Sequence, residues 1–149
     1  RLNALLAGQP MENLHLQVHG KWSVIEHVGH LITLQDRFEG RAEDFEHHRT
    51  SLCDINLCDQ ERILQGHRLR ALGDVLEEFR LKRIAFAQRV AGFQRRALEH
   101  VAYHPCQNKP MRPVDMLLWI AEHDDHHLAS VRGILRSSFE PQRPGLWPD

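Results

Sequence analysis

Two histidines near the C-terminal end of the chain have a spacing that suits metal binding. His123 and His127 lie four residues apart in a stretch with helical periodicity. On an α-helix, residues i and i+4 lie about one turn apart on the same face, so both imidazoles can converge on one cation. Imidazole is a good ligand for zinc, copper, nickel and iron. The spacing therefore predicts a two-histidine clamp for a transition-metal ion.

A complete site needs at least one further ligand, because catalytic zinc ions typically have three protein ligands and an open position. Two histidines in an earlier predicted helix, His27 and His30, are the candidates. On a helical wheel His27 lies slightly closer to the apolar stripe of its helix. The periodicity alone does not choose between the two.

The helical wheel also separates the polar residues around the clamp. The buried centre of the last helix is predicted to comprise Val114, Leu117, Ala121, Leu128, Val131 and Leu135. His126 points toward solvent, while His123 and His127 fall on the flank of the stripe. Asp124 falls almost on its axis, where a carboxylate is costly to bury without a partner. Arg83, on the apolar face of the preceding long helix, is the predicted partner.

Apolar periodicity predicts four principal helices. The first is expected to begin outside this sequence. The second starts at Ser23, which together with Glu26 has the pattern of a capping box. The predicted ranges are residues 1–8, 23–47, 72–92 and 113–138, with a shorter helical piece over residues 94–100.

The segments between these helices are predicted to be irregular. Residues 49–68 form a long connection in which residues 59–64 can make a short turn of helix, and the prolines of residues 104–110 predict a loop. Residues 140–149 are Pro-rich and expected to be extended. Because no alternating β pattern is present, we predict an all-α four-helix bundle with one long crossover connection. Such bundles build metal sites from side chains on facing helices.

Size, charge and cysteine content limit the classes of function. At 149 residues the chain is expected to form one domain, residues 1–149, with a continuous core. Nineteen basic and twenty acidic residues give a formal net charge of -1, which disfavours nucleic acid and anionic membrane surfaces as partners. The apolar runs fall far short of the roughly 20 residues that a membrane span needs. Three cysteines without a CxxC pair, and no visible signal peptide, predict reduced thiols and a cytoplasmic location.

Two segments, taken together, resemble the DinB/YfiT-like superfamily. They are W-S-V-I-E-H-V-G-H-L at residues 22–31 and A-E-H-D-D-H-H-L-A at residues 121–129, and the likeness spans nearly the whole chain. In that family the histidine before the leucine of the first segment is a metal ligand, and this position is His30. The other two ligands map onto His123 and His127. The resemblance therefore favours His30 over His27, which is left a role beside the core or behind the ligands.

The resemblance also implies a function. Members are compact four-helix bundles, often homodimers, in which three histidines and water hold one divalent ion such as zinc, nickel or iron. Some are S-transferases that use a low-molecular-weight thiol, one branch includes a mycothiol-dependent maleylpyruvate isomerase, and others are described as metal-dependent hydrolases. A thiol S-transferase with a small-molecule substrate is therefore expected, and a hydrolase or a non-catalytic metal-binding or structural bundle are the alternatives. The residues identify no catalytic group beyond the ligands.

Structural roles are expected for the remaining conspicuous residues. Trp22 and Trp119 can line a pocket, but large apolar groups more often serve packing or a dimer surface. The isolated histidines expected to be solvated are His47, His48, His67 and His100. Cys53 and Cys58 are expected to be plain thiols, because they lack the spacing and partners of a zinc site. The segment 123–127 also mimics the metalloprotease motif H-E-x-x-H, but Asp replaces the catalytic Glu, which disfavours a protease.

Overall fold

The computed structural model describes residues 2–17, 20–54 and 60–139, without the side chains of Gln60, Glu61 and Phe139. In chain order its elements are α1 (Leu2–Leu6), α2 (Met11–His15), α3 (Val24–Glu46), α4 (Gln60–Arg68), α5 (Leu72–Ala91), α6 (Arg95–Glu99), β1 (Ala102–His104), β2 (Lys109–Met111) and α7 (Pro113–Phe139). The three long helices α3, α5 and α7 agree closely with the ranges predicted from periodicity. The predicted extended tail and Cys58 lie outside the described residues, and Cys53 and Cys106 are free thiols.

A buried carboxylate fixes the start of α3. The predicted capping box forms between Ser23 and Glu26, and the Glu26 carboxylate accepts hydrogen bonds from the Ser23 backbone N–H at 2.8 Å and from its hydroxyl at 2.6 Å. This arrangement satisfies donors that the first turn of a helix otherwise leaves unpaired. The first turn of α3, which leads into His27 and His30, is therefore firmly anchored.

The core consists of two clusters of apolar side chains. One lies toward the C-terminal half of α3 and includes Phe38 and Phe45, with Met116 and Ile120 from α7. The other lies around the N-terminal half of α3 and includes Leu6 from α1, Val75 from α5, and Val131, Ile134 and Leu135 from α7. On α7 the stretch between the two clusters carries His123 and His127. These polar imidazoles are thus placed at a break in the apolar core.

Two connecting segments differ from the predictions. Residues 102–111 form an antiparallel hairpin in which Tyr103 pairs with Pro110, whereas residues 104–110 were expected to be a plain loop. Strands of three residues are too short to display a recognisable alternation, which explains the difference. In the long connection, helix α4 extends to Arg68, beyond the short turn predicted for residues 59–64, and packs against α3.

The buried face of α7 is rotated relative to the predicted one. Val114 is 56% exposed and Ala121 is also exposed, although both were assigned to the centre of the stripe. The predicted burial of Val131 and Leu135 is confirmed. The other buried residues on this face are Met116, Ile120, His127 and Ile134. The first half of α7 carries apolar residues on several sides, so hydrophobicity alone gives a misplaced axis. A buried histidine, counted as polar on the wheel, increases the error.

None of the described helices has the length and apolar composition required to cross a membrane.

Candidate metal centre

Three histidines from two helices converge inside the bundle. The Nε2 atoms of His30 and His123 are 3.4 Å apart, and those of His123 and His127 are 3.1 Å apart. One ligand atom from each of the three rings lies within 4.8 Å of the other two. The structure therefore brings together the three residues that the resemblance indicated. Among the described residues, this cluster contains imidazoles and no carboxylate.

Tryptophan side chains cover the triad on two sides. Trp119 stacks on His123 with ring centroids 5.0 Å apart, and Trp22 lies nearly parallel to His127 at 6.0 Å. Trp22 also contacts His30, with centroids 4.9 Å apart. Packing or a dimer surface was preferred over a pocket for both indoles, and their place beside the triad was missed. The spacing of Trp119, four residues before His123 on the same helical face, was the available indication.

Burial keeps the triad histidines neutral. Burial and the neighbouring His123 and His27 lower the pKa of His30 to about 4. Burial, together with the other rings, lowers the pKa of His127 to about 3. Burial also lowers the pKa of His123. A metal ligand must be a neutral imidazole, so at neutral pH these rings need not lose an ionising proton before they bind an ion.

His27 is adjacent to the triad and not part of it. Its Nδ1 lies 2.7 Å from Nδ1 of His127, on the side of that ring away from the triad, and the residue is 8% exposed. Burial is the main reason that the pKa of His27 falls to about 4. The wheel's slight preference for His27 as the third ligand is therefore not supported by the geometry, and His27 lies behind His127.

The predicted partner of Asp124 is present. Arg83 donates a hydrogen bond from Nη2 to Asp124 Oδ1 at 2.9 Å, and both side chains are largely buried. Burial raises the pKa of Asp124, although the guanidinium opposes this change. The exposed His126 agrees with its predicted solvent position.

The buried carboxylate of Glu26 supports the start of α3. Besides its capping bonds, Glu26 accepts hydrogen bonds from Gln17 Nε2 at 2.9 Å and from Arg68 Nε at 2.8 Å. Burial alone would raise the pKa of Glu26, but the hydrogen bonds from Ser23, Arg68 and Gln17 bring it down to about 2. This ion pair attaches α4 to the start of α3.

Close packing of α4 on α3 occurs at a glycine one residue before His30. A Cβ added at Gly29 would lie 2.5 Å from Cγ of His67, so the imidazole ring occupies the space that a side chain would need. His67 is 8% exposed, which contradicts the expectation that it is solvated. The glycine permits the helices to approach this closely.

A cavity of about 740 Å³ lies beside the triad. Its wall includes Lys21, Trp22, His27, His126 and Ile134, and none of the three triad histidines lines it. Trp22 and His27 therefore stand between the cavity and the imidazole cluster. Lys21 and His126 are polar residues of the cavity wall, and none of the described lining residues is a carboxylate.

Comparison with known protein families gives a match over most of the chain. The model of the DinB superfamily matches residues 1–131, which include all three triad histidines. The chain belongs to the DinB superfamily. Among curated protein sequences, no significant match to this DinB protein is found.

A solved structure shows the same fold as this DinB protein. It is YfiT from Bacillus subtilis, described as a probable metal-dependent hydrolase with an unusual four-helix bundle topology. The TM-score is 0.79 at 15% sequence identity, and the match covers 92% of this chain and 79% of the YfiT chain. The predicted four-helix bundle is confirmed by this match.

Proposed function

We propose that this DinB protein is a metal-dependent enzyme that holds one divalent transition-metal ion through His30, His123 and His127. The convergence of the three Nε2 atoms carries the proposal. Two ligands at zinc–nitrogen distances of about 2.0–2.1 Å in tetrahedral geometry have nitrogens about 3.3 Å apart. The separations of 3.4 Å and 3.1 Å in the triad are close to this value. Zinc, nickel and iron all accept imidazole ligands and are the expected ions.

We propose transfer of a low-molecular-weight thiol to a small-molecule electrophile as the reaction. A divalent ion in this site lowers the pKa of a bound thiol or water. Three neutral imidazoles leave the positive charge of such an ion uncompensated, and Trp119 and Trp22 pack against the rings of His123 and His127. In the overall reaction the thiol S–H bond breaks, an S–C bond forms, the leaving group departs with its electron pair, and the proton passes to solvent.

The carboxylates around the site favour the thiol reaction over hydrolysis. Asp124 is engaged by Arg83, and Glu26 by Ser23, Gln17 and Arg68. Neither carboxylate is available as a general base to a molecule at the triad. A thiol, with a free pKa near 8.5, needs less help to lose its proton than water does. We propose that the cavity bordered by Trp22 and His27, which no triad histidine lines, holds the organic part of a substrate.

Hydrolysis is the second candidate, because YfiT, which shares the fold, is described as a probable metal-dependent hydrolase. Both reactions begin with the same ion and differ in the nucleophile. A panel of thiols with a generic electrophile, run beside ester and amide substrates, distinguishes them. Metal-dependent turnover that ignores thiol would contradict the transferase proposal and support the hydrolase. Metal binding without any turnover would support a non-catalytic bundle.

Metal analysis of untagged protein tests the site itself. We expect about one divalent ion per chain, and loss of that ion in His30→Ala, His123→Ala and His127→Ala. The matched control is His126→Ala, which removes an exposed imidazole next to the triad and should leave the metal content unchanged. Untagged wild-type protein that binds no divalent ion would overturn the proposal.

We also propose that the protein forms a homodimer. The long helices α5 and α7 carry exposed apolar side chains, with Leu81 at 53%, Val114 at 56% and Leu118 at 60% exposure. Val114 and Leu118 lie one turn apart on α7, on the same face. Neighbouring exposed apolar side chains, such as Val114 and Leu118, favour a protein partner when they form a contiguous patch. Light scattering after size exclusion should give the dimer mass, and Leu118→Glu should shift it toward the monomer.

A further inference from the structure

Two buried histidine rings face each other through the same kind of nitrogen. Nδ1 of His27 and Nδ1 of His127 are 2.7 Å apart, while Nε2 of His127 faces His123 at 3.1 Å. His127 therefore directs one nitrogen to the triad and the other to His27. Nδ1 of His123, by contrast, is buried and has no hydrogen-bond partner among the described residues.

Counting protons assigns a direction to this contact. A hydrogen bond between two imidazole nitrogens needs one nitrogen that carries a proton and one that does not. If Nε2 of His127 gives its lone pair to an ion, the ring proton of His127 must be on Nδ1. His127 then donates to Nδ1 of His27, and His27 carries its own proton on Nε2.

We propose that His27 is a positioning residue, which accepts a hydrogen bond from His127 and thereby holds that ligand in its metal-binding tautomer and orientation. The inference rests on the proposed metal site. Ligating histidines usually donate their second ring N–H to a carboxylate, a carbonyl or water, and losing that partner weakens metal binding. Here a neutral imidazole has this role. Trp22 contacts both rings, with centroids 5.6 Å from His27 and 6.0 Å from His127, and keeps the pair in place.

His27 also lies between the cavity and the proposed metal site. It lines the cavity of about 740 Å³, which none of the triad histidines reaches. A molecule bound in the cavity would contact the ring that holds His127. The residue consequently joins the proposed substrate space to one specific ligand of the ion.

Substitutions at His27 test the acceptor role through metal affinity. His27→Phe keeps a ring of similar shape but has no nitrogen to accept the hydrogen bond from His127. His27→Asn places its Oδ1, which can accept that bond, close to the position of Nδ1 of His27. Zn²⁺ affinity is measured by competition with a chromophoric chelator. It should be about 10–100-fold lower in His27→Phe than in the wild type. His27→Asn should stay close to wild type. The control His126→Phe removes an exposed neighbour of His127 and should bind Zn²⁺ normally.

Tautomers in the wild-type protein give a readout that needs no substitution. In long-range ¹H–¹⁵N spectra of the zinc-loaded protein, His127 should be protonated at Nδ1 and His27 at Nε2. This measurement decides the question even if His27→Phe does not fold. A proton on Nδ1 of His27, equal Zn²⁺ affinity in wild type and His27→Phe, or an equally large loss in His27→Asn would overturn the inference while leaving the metal site intact. Wild-type protein that binds no Zn²⁺ would overturn both.

Discussion

Arg83 of α5 and Asp124 of α7 form an ion pair, with Arg83 Nη2 2.9 Å from Asp124 Oδ1. Asp124 directly follows the triad residue His123 in the sequence. The side chains are 22% and 26% exposed, so the pair is neither fully solvated nor fully buried. It joins the helix that carries two proposed ligands to its neighbour. We expect this contact to help fix the position of α7, and with it the geometry of the triad.

A double-mutant cycle measures what this ion pair contributes. For Arg83→Met and Asp124→Asn, the coupling energy in urea unfolding should be about 1 kcal/mol, as expected for a partly exposed pair with good geometry. Zn²⁺ affinity should also weaken in Asp124→Asn, because α7 is less firmly held. An Asp124→Asn protein with unchanged stability and unchanged Zn²⁺ affinity would show that the pair has no structural role.

Removing the Glu26 carboxylate should be strongly destabilising. Glu26 is fully buried and accepts hydrogen bonds from Ser23, Gln17 and Arg68, so Glu26→Ala leaves several donors without their acceptor. We expect a loss of about 3 kcal/mol in the free energy of unfolding. Glu77→Ala is the control, since Glu77 pairs with Arg80 on the surface. The free energy of unfolding of Glu77→Ala should fall by no more than about 0.5 kcal/mol. Equal effects of the two substitutions would refute the anchoring role of Glu26.

Two glycines in helices should respond oppositely to alanine. At Gly29 a Cβ would lie 2.5 Å from Cγ and 2.7 Å from Cβ of His67, so α4 would have to move. Gly29→Ala should cost about 1–3 kcal/mol, as overpacking does. At Gly133 a Cβ meets nothing within 4 Å, so Gly133→Ala should stabilise α7 by about 0.5–1 kcal/mol. Thermal unfolding of the two variants checks the signs, and a stabilised Gly29→Ala protein would contradict the close packing of α4.

The metal-free protein should lose stability as the pH falls below neutrality. Folding lowers the pKa of His27 and His30 from 6.5 to about 4, and that of His127 from 6.5 to about 3. Between these values the unfolded chain binds more protons than the folded protein, so stability rises with pH. The full stability is present above about pH 6.5 and declines as the pH falls toward 4, by at most about 1.4 kcal/mol per pH unit for each group.

Urea unfolding in the presence of a chelator, from pH 7.5 to 5, measures this slope. His30→Asn should make the slope shallower, because it removes one of the buried imidazoles. The exposed His47 supplies the control, and His47→Asn should retain the wild-type slope. A wild-type protein whose stability is flat across this range would be inconsistent with buried, neutral histidines.

Several features of the fold followed from local sequence alone. The Ser23 and Glu26 pattern located the start of α3, and the prolines at 110 and 113 located the start of α7, because capping and proline constraints act within a few residues. The predicted range of α5 was also correct to within one residue, since a regular apolar period leaves little ambiguity. The short strands of residues 102–111 lacked such a period and were missed.

For the candidate site, the sequence determined that His123 and His127 share a helical face, and the resemblance selected His30. The partner of Asp124 was also correct, because a carboxylate near an apolar stripe needs a cation and Arg83 was the one on the facing stripe. The roles of His27, Trp22 and Trp119, and the buried position of His67, were decided by the tertiary structure. These depend on how α3, α4 and α7 cross and on how closely Gly29 lets two of them approach. Helical periodicity gives the face of each helix, while the packing of helices against one another determines which rings meet.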